Sequence, residues 1–378
     1  MNCTFIGLGN MGRELCSRIG SAGFHTFVYD LNSAASQYAE KNYKNVYQSN
    51  LIDAVKQSEV ILSCLPNSLL VREIVEQLLD EEGALANAKL WIDTTSGHPG
   101  ESQKIASTLK DAKVEFFDCA VSGGPAGAAA GTLTAMVGGT EASFPQVKDI
   151  LSSFSKNIVH LGPSGAGHAV KAVNNSLLAA NICSVSEGLL VLKKYGLNLE
   201  SALKAISTSS GRSWVTQQRF PEHVLNRKFD YGFSLGLLLK DVDTCMGMLQ
   251  ESDTPAPLLR ATRELVQMAN KAYGDEADHL EIAKMVESWG TPPDISQLNP
   301  DIENINLNCA IFHINNDWNE KAPKRSTGKF FISHLVMIGV SIYLIKYNPA
   351  VSIISGIILL IIGLVGSFAM IRMSYNCR

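Results

Sequence analysis

The sequence predicts an α/β fold, with a doubly wound sheet at the N-terminus followed by an all-α domain. Three observations lead to this prediction. A strand-like run from Asn2 enters a glycine-rich loop and a helix. Further apolar strands then alternate with helical segments, and residues 198–289 show helical periodicity with few strand signals. At 378 residues, the chain has room for two domains and an appendage.

Charge and cysteine usage exclude several classes of protein. The formal net charge of −4 gives no reason to expect nucleic acid as a partner. The eight cysteines occur singly, which favours free thiols in a reducing compartment over disulfides or a metal site. Because a strand-like run begins at Asn2, we expect no secretory or transit segment. We therefore expect no metal and a cytosolic catalytic part, with an organelle matrix as the alternative location.

The first loop has the spacing G-x-G-x-x-G, between the first strand and a helix predicted over residues 13–22. Gly7 permits a tight turn, Gly9 lets the backbone approach a pyrophosphate, and Gly12 lets helix and strand pack closely. Free N–H groups at the helix N-terminus favour the phosphates. The loop therefore predicts a Rossmann-type dinucleotide site. Its residues are Gly7, Leu8, Gly9, Asn10, Met11 and Gly12.

An acidic residue indicates which dinucleotide binds. A strand predicted over His25–Tyr29 ends at Asp30, 23 residues after Gly7. A carboxylate at this point can accept both ribose hydroxyls of adenosine and would repel the 2′-phosphate of NADP. Residues 31–33 include no arginine that could hold such a phosphate. We therefore expect NAD as the cofactor in preference to NADP.

Three more strands end in loops that carry candidate ligand-binding residues. They are predicted over residues 60–64, 90–93 and 114–118, and late strands over 132–137 and 158–161 complete the sheet. The loops begin with Leu65 and Pro66, with Thr94, Thr95 and Ser96, and with the run Cys119 to Pro125. Because ligands bind at the carboxyl ends of such strands, these loops should line one crevice.

A long helix is predicted over residues 165–195, which contain no proline and are rich in Ala, Leu and Val. Lys171 lies among apolar neighbours, and Asn174 and Asn175 follow on the same helix face. Buried polar groups cost free energy unless they are paired, so this face predicts a polar ligand. The alternative is a lysine that reaches solvent beside two structural asparagines.

Alcohol oxidation gives these residues a chemical role. Hydride moves to a nicotinamide ring while a neutral amine takes the hydroxyl proton, and burial should lower the pKa of Lys171 enough for that task. Asn175 can orient the amine and the substrate oxygen. Ser122, Gly123 and Gly124 offer a hydroxyl and backbone N–H groups suited to a carboxylate. We expect Asn174 to be structural.

Other polar and aromatic residues give weaker signals. His98 and His168 lie near the proposed crevice, but neither has an aspartate or glutamate at a sequence spacing that would indicate a partner carboxylate. We expect both to be helix-terminal or solvent-facing. Trp214 and Phe233 either line the pocket or belong to the helical core.

Three separated motifs resemble those of the β-hydroxyacid dehydrogenases. They are F-I-G-L-G-N-M-G from Phe5, D-C-A-V-S-G-G from Asp118 and G-A-G-H-A-V-K-A-V-N-N from Gly165. The resemblance covers residues 1–295, including G-R-S-W from Gly211 and F-S-L-G-L-L-L-K-D from Phe233, and within the family it is strongest to 3-hydroxyisobutyrate dehydrogenases. It implies that Lys171 is catalytic and that Ser122, Gly123 and Asn175 bind the substrate. It also implies that Leu65, Pro66 and Ser96 contact the nicotinamide half, that Lys240 closes over it, and that the chain forms a homo-oligomer. Ser96 departs from the usual threonine but keeps the hydroxyl.

The expected activity is NAD-dependent oxidation of a small 3-hydroxy acid, first of all 3-hydroxyisobutyrate, to its semialdehyde. One alternative is a reductase of glyoxylate or succinic semialdehyde. Another is a non-catalytic dinucleotide-binding module tethered to a membrane, which the retention of Lys171, Ser122 and Asn175 disfavours. A 6-phosphogluconate dehydrogenase is disfavoured because that relative has a histidine after its catalytic lysine and a larger helical domain.

The composition changes after residue 289. We predict a dinucleotide-binding domain over residues 1–163, an all-α substrate and dimerisation domain over 164–295, and a polar linker over 296–329. Residues 330–345 and 350–371 are apolar and lack acidic residues; their helical lengths would be about 24 and 33 Å. Basic residues flank both ends, which predicts a transmembrane hairpin over 330–371 with both ends cytoplasmic. The enzyme family has no such tail, and a fused reading frame is the alternative.

Overall fold

Short apolar runs bounded by turn residues form a single eight-stranded sheet in the computed structural model, which describes residues 1–290. The strands are β1 (Asn2–Ile6), β2 (His25–Tyr29), β3 (Val46–Gln48), β4 (Val60–Ser63), β5 (Leu90–Asp93), β6 (Glu115–Ser122), β7 (Leu133–Gly138) and β8 (Ser155–Gly162). Their order is β3-β2-β1-β4-β5-β6-β7-β8. The direction of winding reverses between β1 and β4, and ligands bind beside such a switch point.

The first six strands pair in parallel, and β7 runs antiparallel to β6. The helices of this part are α1 (Gly12–Ser21), α2 (Ser33–Asn42), α3 (Leu51–Lys56), α4 (Ser68–Asp80), α5 (Pro99–Asp111), α6 (Gly124–Ala130) and α7 (Phe144–Leu151). Adjacent strand residues enter opposite cores: Phe5 and Ile92 lie in one cluster, Ile6 and Trp91 in the other. Both faces of the sheet are therefore covered, as the doubly wound prediction requires.

Helices follow the sheet. They are α8 (Ala166–Lys194), α9 (Leu199–Ser207), a π-helix (Val215–Val224), α10 (Leu235–Glu251), α11 (Pro257–Tyr273), a 3₁₀ turn (His279–Glu281) and α12 (Ile282–Ser288). No strand occurs between residues 166 and 290. The predicted architecture, a Rossmann-type sheet followed by a helical domain, is confirmed.

The 29-residue α8 connects the two parts. It contacts β6 and β7 of the sheet and α10, α11 and α12 of the helical part. Within the part of the chain that the structure describes, it is the one helix long and apolar enough to cross a bilayer. Its contacts on both sides account for part of that apolar character, since a helix packed at a domain junction buries several faces.

Some details differ from the predicted elements, including β8, which is longer at both ends than the strand predicted over 158–161. The three-residue β3 was not predicted, and β6 continues to Ser122 although the predicted strand ended at residue 118. The extension arises because residues 118–122 pair with β7. The predicted linker over 296–329 and the hairpin over 330–371 lie outside the described residues.

Candidate active site

The glycine loop after β1 leaves its backbone open on one side and closely packed on the other. A Cβ atom on Gly12 would lie 2.0 Å from the carbonyl oxygen of Gly7, so only glycine lets α1 approach the loop this closely. A Cβ atom on Gly9 would meet no atom within 4 Å. The open side is thus free for a pyrophosphate, while the packed side holds the helix N-terminus beneath it.

Asp30 lies at the end of β2, beside this loop. Its Oδ2 atom accepts the Leu8 N–H at 2.6 Å, and its Oδ1 atom accepts the Asn32 N–H at 2.7 Å. These bonds hold the carboxylate in place, and each oxygen keeps lone-pair capacity for a ribose hydroxyl. The structure thus brings Asp30 and the glycine loop together, as expected for a site that holds adenosine.

The loops after β4 and β5 lie next to each other and are reached from the helical part. The Leu65 N–H donates to the Thr95 hydroxyl at 3.0 Å, and Pro66 is exposed at the same loop. From α10, the Lys240 ammonium donates to the carbonyl of Ser96. Lys240 therefore links the two parts across the loops that were predicted to hold the nicotinamide.

The amine of Lys171 lies at the end of β6. Its Nζ atom donates to the carbonyl of Val121 at 2.8 Å, which places it one residue from Ser122. Burial lowers the pKa of Lys171, Asp241 opposes that shift, and the positive charges of Arg219 and Lys240 add to it. A lysine in these surroundings gives up its proton more readily than a solvated one, so it can serve as a general base.

Asp241 was missed by the sequence analysis, although it lies beside the other candidates. Its Oδ2 atom accepts from the amide of Asn175 at 2.6 Å, and its Oδ1 atom lies 3.1 Å from the Lys240 ammonium. Asn175 is 2% exposed, and its carbonyl accepts from the side chain of Asn174 at 3.0 Å. Asp241 therefore orients the amide that was predicted to bind substrate. Its position directly after Lys240, within an apolar helix, was the signal available in the sequence.

The loop that follows β6 is built from glycines. Gly123 and Gly124 both have positive φ angles, of 135° and 68°. A Cβ on Gly123 would lie 2.8 Å from Leu133, and one on Gly124 would lie 3.1 Å from the hydroxyl of Tyr231. Any side chain here would be strained, so the backbone N–H groups beside Ser122 stay accessible to an anion.

His168 is helix-terminal, as expected, but the alternative, that it faces solvent, is wrong. It is the third residue of α8 and is completely buried, with Nδ1 2.7 Å from the Ser102 hydroxyl. Its Nε2 atom lies 3.9 Å from Oδ2 of the equally buried Asp93, and neither atom has a hydrogen-bond partner among the described residues. Packing of α8 onto the strand ends encloses the ring. The second histidine, His98, caps the N-terminus of α5 as predicted.

Asp118 holds the start of α8. Its two carboxylate oxygens accept the backbone N–H groups of Gly165 at 2.6 Å and His168 at 2.8 Å, which would otherwise be unpaired helix-terminal donors. Burial raises the pKa of Asp118, and these hydrogen bonds oppose the rise. This carboxylate sets the position of the helix that carries Lys171.

Trp214 was expected either to line the pocket or to belong to the helical core. Its side chain is 57% exposed, so it does not belong to the core.

Known proteins resemble this chain over nearly all of the described residues. A family profile described as the NAD binding domain of 6-phosphogluconate dehydrogenase matches residues 2–162. A second, described as NAD-binding of NADP-dependent 3-hydroxyisobutyrate dehydrogenase, matches residues 165–286. The two profiles meet at the junction between the sheet and α8.

Among individual relatives, 2-(hydroxymethyl)glutarate dehydrogenase of Eubacterium barkeri is 32% identical over 275 residues, which are 70% of this chain and 87% of that protein. Mitochondrial 3-hydroxyisobutyrate dehydrogenase of Drosophila melanogaster is 30% identical over 282 residues, 73% and 86% of the two chains. A solved structure of Mycobacterium tuberculosis 3-hydroxyisobutyrate dehydrogenase with L-serine is 27% identical and has a TM-score of 0.68, covering 75% of this chain and 98% of that one.

Identity at this level over most of the length of each relative, together with the glycine loop, Asp30 and the matched topology, establishes the class of the enzyme. The chain belongs to the β-hydroxyacid dehydrogenase family, as an NAD-dependent oxidoreductase similar to 3-hydroxyisobutyrate dehydrogenases.

Proposed function

We propose that the protein oxidises a small 3-hydroxy acid, with 3-hydroxyisobutyrate as the first candidate, to its semialdehyde. The observation that carries this proposal is the Lys171 amine, held at the Val121 carbonyl with a lowered pKa beside the loop of Ser122, Gly123 and Gly124. A proton acceptor and an anion site are thus adjacent. An acid with a hydroxyl group a short distance from its carboxylate fits both.

Each residue has a distinct role in this proposal. The substrate carboxylate binds the Ser122 hydroxyl and the backbone N–H groups of Gly123 and Gly124. Lys171 takes the hydroxyl proton, and Asn175, oriented by Asp241, directs the hydroxyl toward the amine. NAD, when bound, accepts the hydride. Closure by Lys240 over the nicotinamide loops excludes water from the reacting groups.

The names of the relatives suggest which fragment is recognised. In 3-hydroxyisobutyrate, 2-(hydroxymethyl)glutarate and L-serine, a hydroxymethyl group is attached to the carbon that bears the carboxylate. The three compounds differ only in the remaining substituent on that carbon. We infer that the shared fragment lies between Lys171 and the Ser122 loop.

A substrate screen tests this proposal. 3-Hydroxyisobutyrate, 3-hydroxypropionate and glycerate carry the fragment, whereas 4-hydroxybutyrate is one carbon longer. We expect NADH formation with the first three and little with the fourth, because the longer acid cannot place its hydroxyl on Lys171 while its carboxylate stays bound. Faster oxidation of 4-hydroxybutyrate, or turnover with NADP alone, would contradict the proposal.

We also propose that the chain forms a homo-oligomer through α8. Three apolar side chains on one side of this helix, Val170, Val173 and Leu177, are between 38% and 53% exposed. Large apolar side chains clustered in this way favour contact with another surface. Light scattering on the purified protein should give a mass of at least twice 40.9 kDa. Glutamate in place of Leu177 should then yield the monomer.

A further inference from the structure

A buried arginine without a paired carboxylate lies close to the proposed substrate site. Arg219, in the π-helix Val215–Val224, is 8% exposed. Its Nη1 atom donates to Nε2 of His279 at 2.6 Å, while its Nε atom is buried and has no hydrogen-bond partner among the described residues. Within residues 1–290, Nη2 has no hydrogen-bond partner either, and no carboxylate forms an ion pair with the guanidinium.

The neighbouring histidine does not neutralise this charge. An arginine can only donate, so Nε2 of His279 must accept, and its Nδ1 carries the proton that goes to the Phe233 carbonyl at 3.0 Å. Burial lowers the pKa of His279, which favours this neutral form. The carboxylate of Asp278 lies 3.1 Å from His279 and accepts the N–H groups of Gly232 and Leu280. Each of its oxygens therefore already accepts a backbone N–H group, and no ion pair joins it to Arg219 within residues 1–290. Its negative charge opposes the lowering of the Arg219 pKa that burial causes.

The guanidinium stacks on the ring of Tyr231, with 3.7 Å between the Arg219 Cζ atom and the ring centroid. Such a contact offsets part of the cost of burying a cation, but it uses the face of the guanidinium and leaves its edge free. The free edge consists of the Nε and Nη2 donors. This pair forms the planar fork that binds a carboxylate through two parallel hydrogen bonds.

Two observations place the Arg219 side chain close to the substrate site. The hydroxyl of Tyr231, which the guanidinium covers, lies 3.1 Å from the point that a Gly124 Cβ would occupy, so it touches the loop that is proposed to hold the first carboxylate. The charge of Arg219 also lowers the pKa of Lys171, which requires the two side chains to be near each other. Arg219 thus belongs to the surroundings of the reacting groups, although it contacts none of the predicted site residues.

We propose that Arg219 binds a second carboxylate, carried by the substituent on the carbon next to the first carboxylate of the substrate. The preferred substrate would then be a dicarboxylic 3-hydroxy acid, larger than 3-hydroxyisobutyrate. This inference rests on the proposed function, because the hydroxymethyl group and the first carboxylate stay at Lys171 and the Ser122 loop. A buried cation that lacks an anion in the free protein gains one when the substrate binds.

Binding of two unreactive acids tests the inference without relying on turnover. 2-Methylglutarate and isobutyrate both lack the hydroxyl group; 2-methylglutarate carries a carboxyethyl group where isobutyrate carries a methyl group. Calorimetry on the full chain saturated with NAD should give at least about 10-fold tighter binding of 2-methylglutarate, as expected for a charge-assisted pair in a buried site. Equal affinity for the two acids would overturn the inference.

Substitutions then assign the difference to the arginine. Arg219→Gln should weaken 2-methylglutarate binding by about 10-fold or more and leave isobutyrate binding unchanged, while Arg219→Lys should restore part of the loss. Arg227→Gln is the matched control, because Arg227 also lies over an aromatic ring, that of Phe229, but is largely exposed and pairs with Glu287. Unchanged isobutyrate binding shows that the variant is folded. Equal loss of both acids in Arg219→Gln would contradict a separate second site.

The two proposals can fail independently. Oxidation of 3-hydroxyisobutyrate with no preference for the second carboxylate would support the dehydrogenase and overturn the role of Arg219. Tighter binding of 2-methylglutarate without oxidation of any 3-hydroxy acid would support the anion site and overturn the proposed reaction.

Discussion

The candidate site contains ionisable side chains whose charged form is disfavoured by burial. Lys171 shows the consequence most clearly, because burial lowers its pKa and so makes the neutral amine accessible. The same burial costs folding free energy while the amine remains protonated. Activity and stability are thus expected to respond to this residue in opposite directions.

Replacing the lysine tests its proposed role. Lys171→Met should lower kcat/KM at least about 100-fold, the lower end of general acid–base effects, with little change in NAD affinity. Lys194→Met, on the exposed end of the same helix, is the control and should keep full activity. Turnover of Lys171→Met within a few-fold of the unmodified protein would remove the lysine from the mechanism.

The lowered pKa also predicts pH dependence. Oxidation needs the neutral amine, so kcat/KM should rise with pH through a pKa below 10.5, and reduction of the semialdehyde should fall over the same range. The folded protein binds the Lys171 proton more weakly than the unfolded chain. The penalty is therefore complete below the folded pKa and disappears as the pH rises to 10.5. Thermal melts should show Lys171→Met as the more stable protein near neutrality, with a difference that shrinks toward alkaline pH.

Cofactor choice depends on a single carboxylate. Asp30→Ser combined with Leu31→Arg should shift the ratio of kcat/KM values from NAD toward NADP, because the carboxylate that repels a 2′-phosphate is replaced by a cation that binds it. Steady-state kinetics with both cofactors measure the ratio. A preference of the unmodified protein for NADP would show that Asp30 does not act on the ribose.

At the scale of elements, α8 determines where the chemistry occurs. Its first residues are held by Asp118 of β6, and Lys171 and Asn175 follow at fixed positions along the same rod. The strand that anchors the helix also supplies the Val121 carbonyl for Lys171. Strand and helix therefore set the distance between the amine and the Ser122 loop.

Removing the charge of this anchor should loosen the helix start. In Asp118→Asn one carboxylate oxygen becomes an NH₂ group, which cannot accept the second backbone N–H. We expect a loss of about 1–3 kcal/mol in unfolding free energy, measured by denaturant titration, and a lower kcat. Asp149→Asn, on the exposed surface of α7, is the control. Unchanged stability of Asp118→Asn would show that the helix start does not depend on this carboxylate.

At the scale of the whole molecule, the site needs both the sheet and the helical part. Lys240 and Asp241 on α10 reach the loop after β5 and the middle of α8, so neither part forms the site alone.

Beyond residue 290, the sequence supports a proposal about membrane attachment. The apolar stretch over 330–371, with its basic flanks, is proposed to anchor the chain in a membrane.

Fractionation tests the anchor. The full chain should sediment with membranes and resist carbonate extraction, whereas residues 1–295 should remain in the supernatant and keep full activity, because the apolar stretch is separated from the catalytic part by about 35 polar residues. Recovery of the full chain in a detergent-free high-speed supernatant would exclude the anchor. Glycosylation acceptors placed near Asn348 and after Arg378 would report topology, since a hairpin exposes only the first.

The sequence by itself determined the parts of this protein that neighbouring residues specify. The glycine loop, the acid at the end of the second strand, and the shared face of Lys171 and Asn175 follow from local spacing and helical periodicity. These features are readable because their geometry is set within a few residues along the chain. They were enough to predict the fold class, whereas the family was indicated by the resemblance of three longer motifs.

Only the tertiary structure decided which distant residues meet. Asn175 and Asp241 are 66 positions apart, Arg219 and His279 are 60 apart, and their hydrogen bonds form because helices of the second part pack side by side. The burial of His168 was not expected, because nothing near it in sequence reveals that α8 covers the strand ends. The end of β6 likewise depends on its pairing with β7. Burial and long-range pairing are properties of the packed chain. A local sequence pattern does not specify which distant residue a side chain will contact in the folded protein.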